Sequence, residues 1–186
     1  MSLGLDIKYR RASSDKDLHQ ILNLQKKNLK LALSEQDKES EGFVSVDHEF
    51  GVLKRMNDAC AHIIAISEEK IVGYTLCMLT TFKNDVPELI TMFNHLDGLL
   101  DSKGLSSLNY FIMGQVCIDK NFRKKGVFRG LYNFMKSELK SEFDAVITEV
   151  NVKNRRSSDA HKAIGFEALD IRSEGSEDWE LIILHL

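Results

Sequence analysis

The chain has 186 residues, 43% hydrophobic and 28% charged, with 25 Lys+Arg against 28 Asp+Glu for a net charge of −3. One domain over residues 1–186 is expected, able to bury roughly 70% of its extended surface. Excluded are a disordered tail, a disulfide scaffold (Cys60, Cys77 and Cys117 form no C-x-x-C pair) and a bilayer span of ~18 apolar residues, and with no leader-like apolar stretch at the start a cytoplasmic location without a membrane partner is expected.

Residues 5–12 alternate as a strand. Residues 15–31 place Leu18, Ile21, Leu22 and Leu29 near one helical face, with Ser14 or Asp15 as the cap. Residues 33–47 are polar, sum to −4 and read as a mobile loop. Residues 47–59 carry Phe50, Leu53 and Met56 at helical spacing. Two strands over 62–67 and 71–81, joined by Glu68-Glu69-Lys70, read as an antiparallel hairpin. Pro87 suits the first turn of a helix over 86–100. Then come a strand at 110–118, an amphipathic helix at 127–143, a strand at 145–150 and a helix at 153–164 closed by Gly165. Strands at 166–171 and 179–185 end the chain. The order is that of an α/β sandwich with mixed strand directions.

The charge is uneven. Residues 119–130 sum to +4 and residues 151–162 to +3, so the remainder is acidic. Two basic islands on an acidic chain point to a local anionic ligand. In the first island a strand ends at Ile118, and a turn follows with Lys120, Arg123, Lys124 and Lys125. Gly126 then leads directly into a helix. A helix start offers unpaired N–H groups and partial positive charge, and a glycine there lets a phosphate approach the backbone. The alternative is a solvated basic loop. Neither the Walker nor the dinucleotide glycine pattern is present. Nucleic acid is not the expected partner: the following helix spends Val127, Leu131, Phe134 and Met135 on the core, and aromatic residues are sparse.

Arg123-Lys124-Lys125-Gly126 between strand and helix resembles the acyl-CoA motif Q/R-x-x-G-x-G/A of the GNAT superfamily of N-acetyltransferases. The last small residue is replaced by Phe128. Downstream, Asn154, Ser157, His161 and Gly165-Phe166 resemble the family's N-x-x-[AS]-x-x-x-[YH]-x-x-x-G-F signature, with His161 where many members have tyrosine. The resemblance implies a mixed central sheet of about seven strands, flanked by helices and splayed between two central parallel strands, 110–118 and 145–150.

It also implies acetyl-CoA as co-substrate. The backbones of Val116, Cys117 and Ile118 would hold the pantetheine arm. The turn from Arg123 through Lys124, Lys125, Gly126, Phe128 and Arg129 would receive the diphosphate, with Asn154 and Ser157 beside it. A primary amine, small-molecule or peptide, would attack the thioester directly in a ternary complex. A homodimer fits the resemblance as well.

His161 stands where the family places an acid for the leaving thiolate, and an imidazole has a suitable pKa near ~6.5. A structural ring contacting CoA is its alternative role. Gln115 cannot accept a proton usefully, so Glu149 is the nearest titratable candidate base, with an ion-pair role as the alternative. Cys117 lies on an apolar strand with no neighbouring cation in sequence, which favours packing over nucleophilic chemistry. No histidine pair has metal-ligand spacing, so no metal is expected. The acidic loop (Glu35, Asp37, Glu39, Glu41, Asp47, Glu49), which would attract a cationic amine or alternatively be a solvated loop, and the long 82–109 connection would frame the acceptor, the latter as a helical lid. The alternative overall is a non-catalytic acyl-CoA-binding or sensor domain of the same fold.

Overall fold

The computed structural model describes residues 6–30 and 43–186. Seven strands form one mixed sheet: β1 (Lys8–Arg11), β2 (Ile63–Ser67), β3 (Lys70–Met78), β4 (Tyr110–Ile118), β5 (Ala145–Asn151), β6 (Glu167–Glu174) and β7 (Glu177–His185). Their order across the sheet is β1-β2-β3-β4-β5-β7-β6. Every pairing is antiparallel except β4 with β5. The described helices are α1 (Asp15–Lys26), α2 (Phe50–Ala59), α3 (Ile90–Ser102), α4 (Val127–Leu139) and α5 (Arg155–Lys162).

Alternation along the strands divides the core. Ile63, Ala65, Phe111, Met113 and Val146 face α4 through Leu131, Met135 and Leu139. Ile64, Tyr74 and Leu76 face α1 and α2, while Ile112 and Ile147 face α3 through Phe93 and Leu96. The sheet is thus covered on both faces, as its nearly continuous apolar central strands require.

Several elements end earlier than the periodicity suggests. The first helix stops at Lys26, not at 31. Asn28 turns its Nδ2 back to the Leu24 carbonyl at 2.9 Å, and its backbone pairs with Val44. The helix expected to 143 ends at Leu139, and Phe143 packs edge-on against Phe111 at 5.0 Å. The last helix begins after its cap, Asn154, whose Oδ1 accepts from Ser157 N. The last two strands are longer than expected and meet at a turn through Gly175. Pro87 opens a short 3-10 turn rather than α3 itself. Most of the acidic loop read over 33–47 lies outside the described residues.

The feature that makes a site is the short β4–β5 ladder. It pairs Tyr110 with Ala145, Phe111 with Val146 and Ile112 with Ile147, and stops there. On β4's other side the register shifts where Leu76 faces Gln115 and Cys77 faces Met113, leaving Gly114 as an extra residue. A bulge of this kind bends its strand. β4 therefore parts from β5, which stays paired with β7 to its last residue, Asn151. At the fork Thr148 Oγ1 donates to the Met113 carbonyl at 2.8 Å, satisfying the first carbonyl past the ladder.

Candidate active site: a forked sheet with two joined cavities

Two cavities meet in the fork. The first, about 320 Å³, is lined by Val116, Cys117 and Ile118 of β4, by the turn from Arg123 to Arg129, and by α5. The second, about 260 Å³, runs from Met113–Val116 and Thr148–Asn151 out to Glu88, Arg172 and Trp179. Phe43, Val44, Val116, Asn154 and Ser157 line both, so the cavities are continuous at these residues.

The basic turn has a defined shape. Asp119 Oδ1 accepts from Asn121 N at 2.9 Å and starts a 3-10 turn, Lys120–Phe122. Lys124 (φ 60°) and Gly126 (φ 80°) are left-handed, and α4 begins at Val127. A Cβ on Gly126 would meet no atom within 4 Å, so the side facing the turn is open. The first turn of α4 points N–H groups without intrahelical partners toward this space. Together with the β4 edge freed from β5, this donor set fits a diphosphate followed by an extended amide-bearing arm. The expected cofactor residues Val116, Cys117, Ile118, Arg123, Lys124, Gly126, Phe128, Arg129, Asn154 and Ser157 all line the first cavity. Lys125 does not; its Nζ lies over the Phe122 ring.

Arg123 has a second role. Its Nε donates to the Ile118 carbonyl at 3.1 Å and Nη2 to Asn28 Oδ1 at 2.7 Å, tying the turn to the end of α1. Asn154 Nδ2 donates to the Phe43 carbonyl at 3.3 Å. Gln115 Nε2 donates to the Val46 carbonyl at 2.8 Å, while its Oε1 accepts from Tyr74 Oη at 2.5 Å. The 43–46 segment is thus pinned over the fork by two side chains. Burial pushes the Cys117 thiol up to about 12, which suits packing rather than nucleophilic attack.

His161 is 1% exposed. Its Nδ1 lies 2.7 Å from the Ser157 carbonyl, which only accepts, so Nδ1 carries the proton. Nε2 then accepts from Tyr132 Oη at 2.8 Å. Burial holds the ring's pKa down at about 4, so it is neutral with both nitrogens engaged. Phe128, Tyr132 and Phe166 surround it at 5.0 to 5.5 Å.

Glu149 lies in the second cavity and is bound by both oxygens to Arg172, each at 3.0 Å. Arg172 reaches Glu174 as well, at 2.8 Å. Burial raises the Glu149 pKa, and the Arg172 hydrogen bonds oppose that rise. Glu88, Leu89 and Met92 line this cavity too, so the 82–109 connection does border it.

Sequence reasoning did not single out Tyr132, Asn151, Arg172 or Trp179. Only Asn151 carried a local signal: it follows Glu149 by two residues on one strand, and so shares its face. The anchoring of the 43–46 segment by Gln115 had none.

No protein-family model and no curated protein matches the sequence. Solved structures do match. The ribosomal-protein-S18-alanine N-acetyltransferase of Escherichia coli is 14% identical with a TM-score of 0.59, over 97% of this chain and 94% of that one. A chain of the NatC complex bound to Gag peptide and CoA is 13% identical, TM-score 0.66, over 98% and 99%. A GNAT-family acetyltransferase from Bacillus cereus is 15% identical, TM-score 0.57, over 97% of each. With its forked parallel pair and its mixed seven-stranded sheet, this chain has the fold of the GNAT acetyltransferases.

Proposed function

We propose that the protein transfers an acetyl group from acetyl-CoA to a primary amine, by direct attack in a ternary complex. The observation that carries this reading is the junction of the two cavities at Val116, Asn154 and Ser157. One arm is built for a phosphorylated, amide-bearing ligand, the other is bordered by carboxylates, and they meet where β4 has lost its partner strand. The NatC structure, whose neighbouring chain has this fold, was solved with a peptide and CoA; that supports a peptide or small-molecule amine as acceptor.

The chain's residues divide the work. The N–H groups around Gly126 and the first turn of α4 bind the diphosphate, and the free edge of β4 at Val116–Ile118 aligns the arm. Glu149 draws the ammonium form of the acceptor and takes its proton on lone pairs that Arg172 leaves open, its raised pKa aiding the transfer. The amine nitrogen bonds to the thioester carbon, the carbon–sulfur bond breaks, the nitrogen gives up its second proton to water, and the thiolate takes a proton from water. A β4 amide freed at the fork would donate to the oxyanion. His161, neutral and engaged at both nitrogens, positions Ser157 and Tyr132 instead of giving a proton.

The engaged state of His161 and the ion pair at Glu149 also favour a second reading, a non-catalytic acyl-CoA sensor. Thiol release from acetyl-CoA across a panel of amines separates the two. Turnover that falls about a hundredfold or more in Glu149→Gln supports the enzyme with Glu149 as base. Binding of acetyl-CoA without turnover of any amine supports the sensor.

A further inference from the structure

Asn151 ends β5 two residues beyond Glu149, so both side chains leave the strand on one face, about 6.7 Å apart along it. Both line the acceptor-side cavity and neither lines the CoA-side cavity. Asn151 is 3% exposed. Its Oδ1 accepts from Lys153 N at 3.0 Å, which fixes the orientation of the amide. Its Nδ2 has no hydrogen-bond partner among the described residues. A buried donor left in this state is costly and calls for an acceptor atom.

Several neighbouring polar groups are committed elsewhere. Arg172 serves Glu149 and Glu174, Gln115 bridges Tyr74 and Val46, Thr148 serves Met113, and His161 uses both nitrogens. Asn151 Nδ2 is the buried lining donor left without a partner among the described residues, beside an excess of carboxylate: Glu88, Glu149 and Glu174 against Arg172. An occupant that matches it carries a cationic amine and, a short link away, a carbonyl oxygen. Leu89, Met92 and Trp179 add an apolar wall for a side chain on that link.

Resting on the acceptor reading above, we propose that Asn151 selects α-amino carbonyl acceptors, the amino termini of peptides. The ammonium sits on the Glu149 side and the first carbonyl oxygen accepts from Asn151 Nδ2. Simple polyamines and alkylamines leave that donor unmet. Asn151 lies outside the CoA-side cavity, so its donor addresses the acceptor and not the thioester.

The test is calorimetry and turnover on CoA-loaded protein, with a tetrapeptide bearing a free amino terminus and an alkylamine of similar length. Asn151→Leu removes the donor at similar volume. Asn151→Asp removes it while keeping an oxygen for Lys153 N, and serves if the first variant folds poorly. The expected result is a preference for the peptide in the native protein that shrinks roughly three- to tenfold in either variant, with CoA affinity unchanged. An unchanged preference overturns the proposal. So does an equal fall for both amines, which would assign the donor to the thioester, and so does failure of the native protein to bind the peptide. If no amine is turned over but the variants still weaken peptide binding, Asn151 keeps its role and the enzyme reading falls.

Discussion

The rings of Phe128 and His161 stand edge to face, 5.0 Å apart at 87°. Phe128 stands where the resembled pattern has a small residue and His161 where many members have tyrosine, and the two pack on each other. Phe128 in the first turn of α4 reaches His161 of α5, and Tyr132, further along α4, and Phe166, just past α5, complete the cluster. The two rings thus form one packing unit between the CoA-side cavity, which Phe128 lines, and the acceptor-side cavity, which His161 lines. A double-mutant cycle with Phe128→Ala and His161→Ala is expected to show a coupling of about 0.5–1.5 kcal/mol in urea unfolding.

Acid lability follows from the buried histidines. Burial lowers the pKa of His161 and His48 to about 4 and that of His62 to about 3. The unfolded chain binds protons near pH 6.5 that the folded chain refuses until about pH 4 or below. Stability is therefore full above pH 6.5 and falls as pH drops toward 4, by up to about 1.4 kcal/mol per pH unit for each histidine. Urea unfolding at stepped pH is expected to show this slope, and His161→Gln to reduce it by about one proton.

Gly126 carries the conformation of the turn. At φ 80° any Cβ brings strain of roughly 1–2 kcal/mol, although no neighbour stands in its way. Gly126→Ala is expected to lose about that much stability and to weaken CoA binding. Lys124 is left-handed as well, so Lys124→Gly is expected to be neutral or slightly stabilising. Calorimetric titration with CoA and thermal unfolding read both effects.

Gln115 looks inert chemically but joins three segments. Gln115→Ala leaves the Tyr74 hydroxyl buried without its acceptor and frees the Val46 carbonyl. The expected cost is about 1–3 kcal/mol of stability, together with weaker acceptor binding as the 43–46 segment loosens. Gln115→Glu keeps an acceptor for Tyr74 but loses the donor to Val46, and is expected to recover part of the stability only.

Arg172→Met is the sharpest electrostatic test. It leaves Glu149 buried without its guanidinium, which costs about 3–5 kcal/mol or drives Glu149 to hold its proton at higher pH. The acidic limb of a pH–rate profile is expected to move up in this variant.

What was legible in the sequence is what local patterns encode. The strand at 110–118, the basic turn, Gly126 and the helix from Val127 were readable because period, charge and glycine placement coincide within twenty residues. The fork was not. It depends on a bulge at Gly114 set by pairing with β3, and on a β4–β5 ladder that stops after three pairs. Arg123 was read as a phosphate contact, yet it also reaches Asn28, 95 residues away. Arg172 offered no clue that it would meet Glu149, because β6 reaches β5's side of the sheet only through β7. His161 was placed by spacing, whereas its neutral, doubly engaged state comes from Tyr132 and the Ser157 carbonyl.

In the proposed reading the forked edge of β4 and the turn before α4 bind the pantetheine arm and the diphosphate of one CoA ester. Hydrogen–deuterium exchange with and without acetyl-CoA tests it most directly. Slowed exchange at the amides of Val116–Ile118 and of 124–129, with little change at the outer strands β1 and β6, is expected. Unchanged exchange at both segments under saturating acetyl-CoA would contradict it.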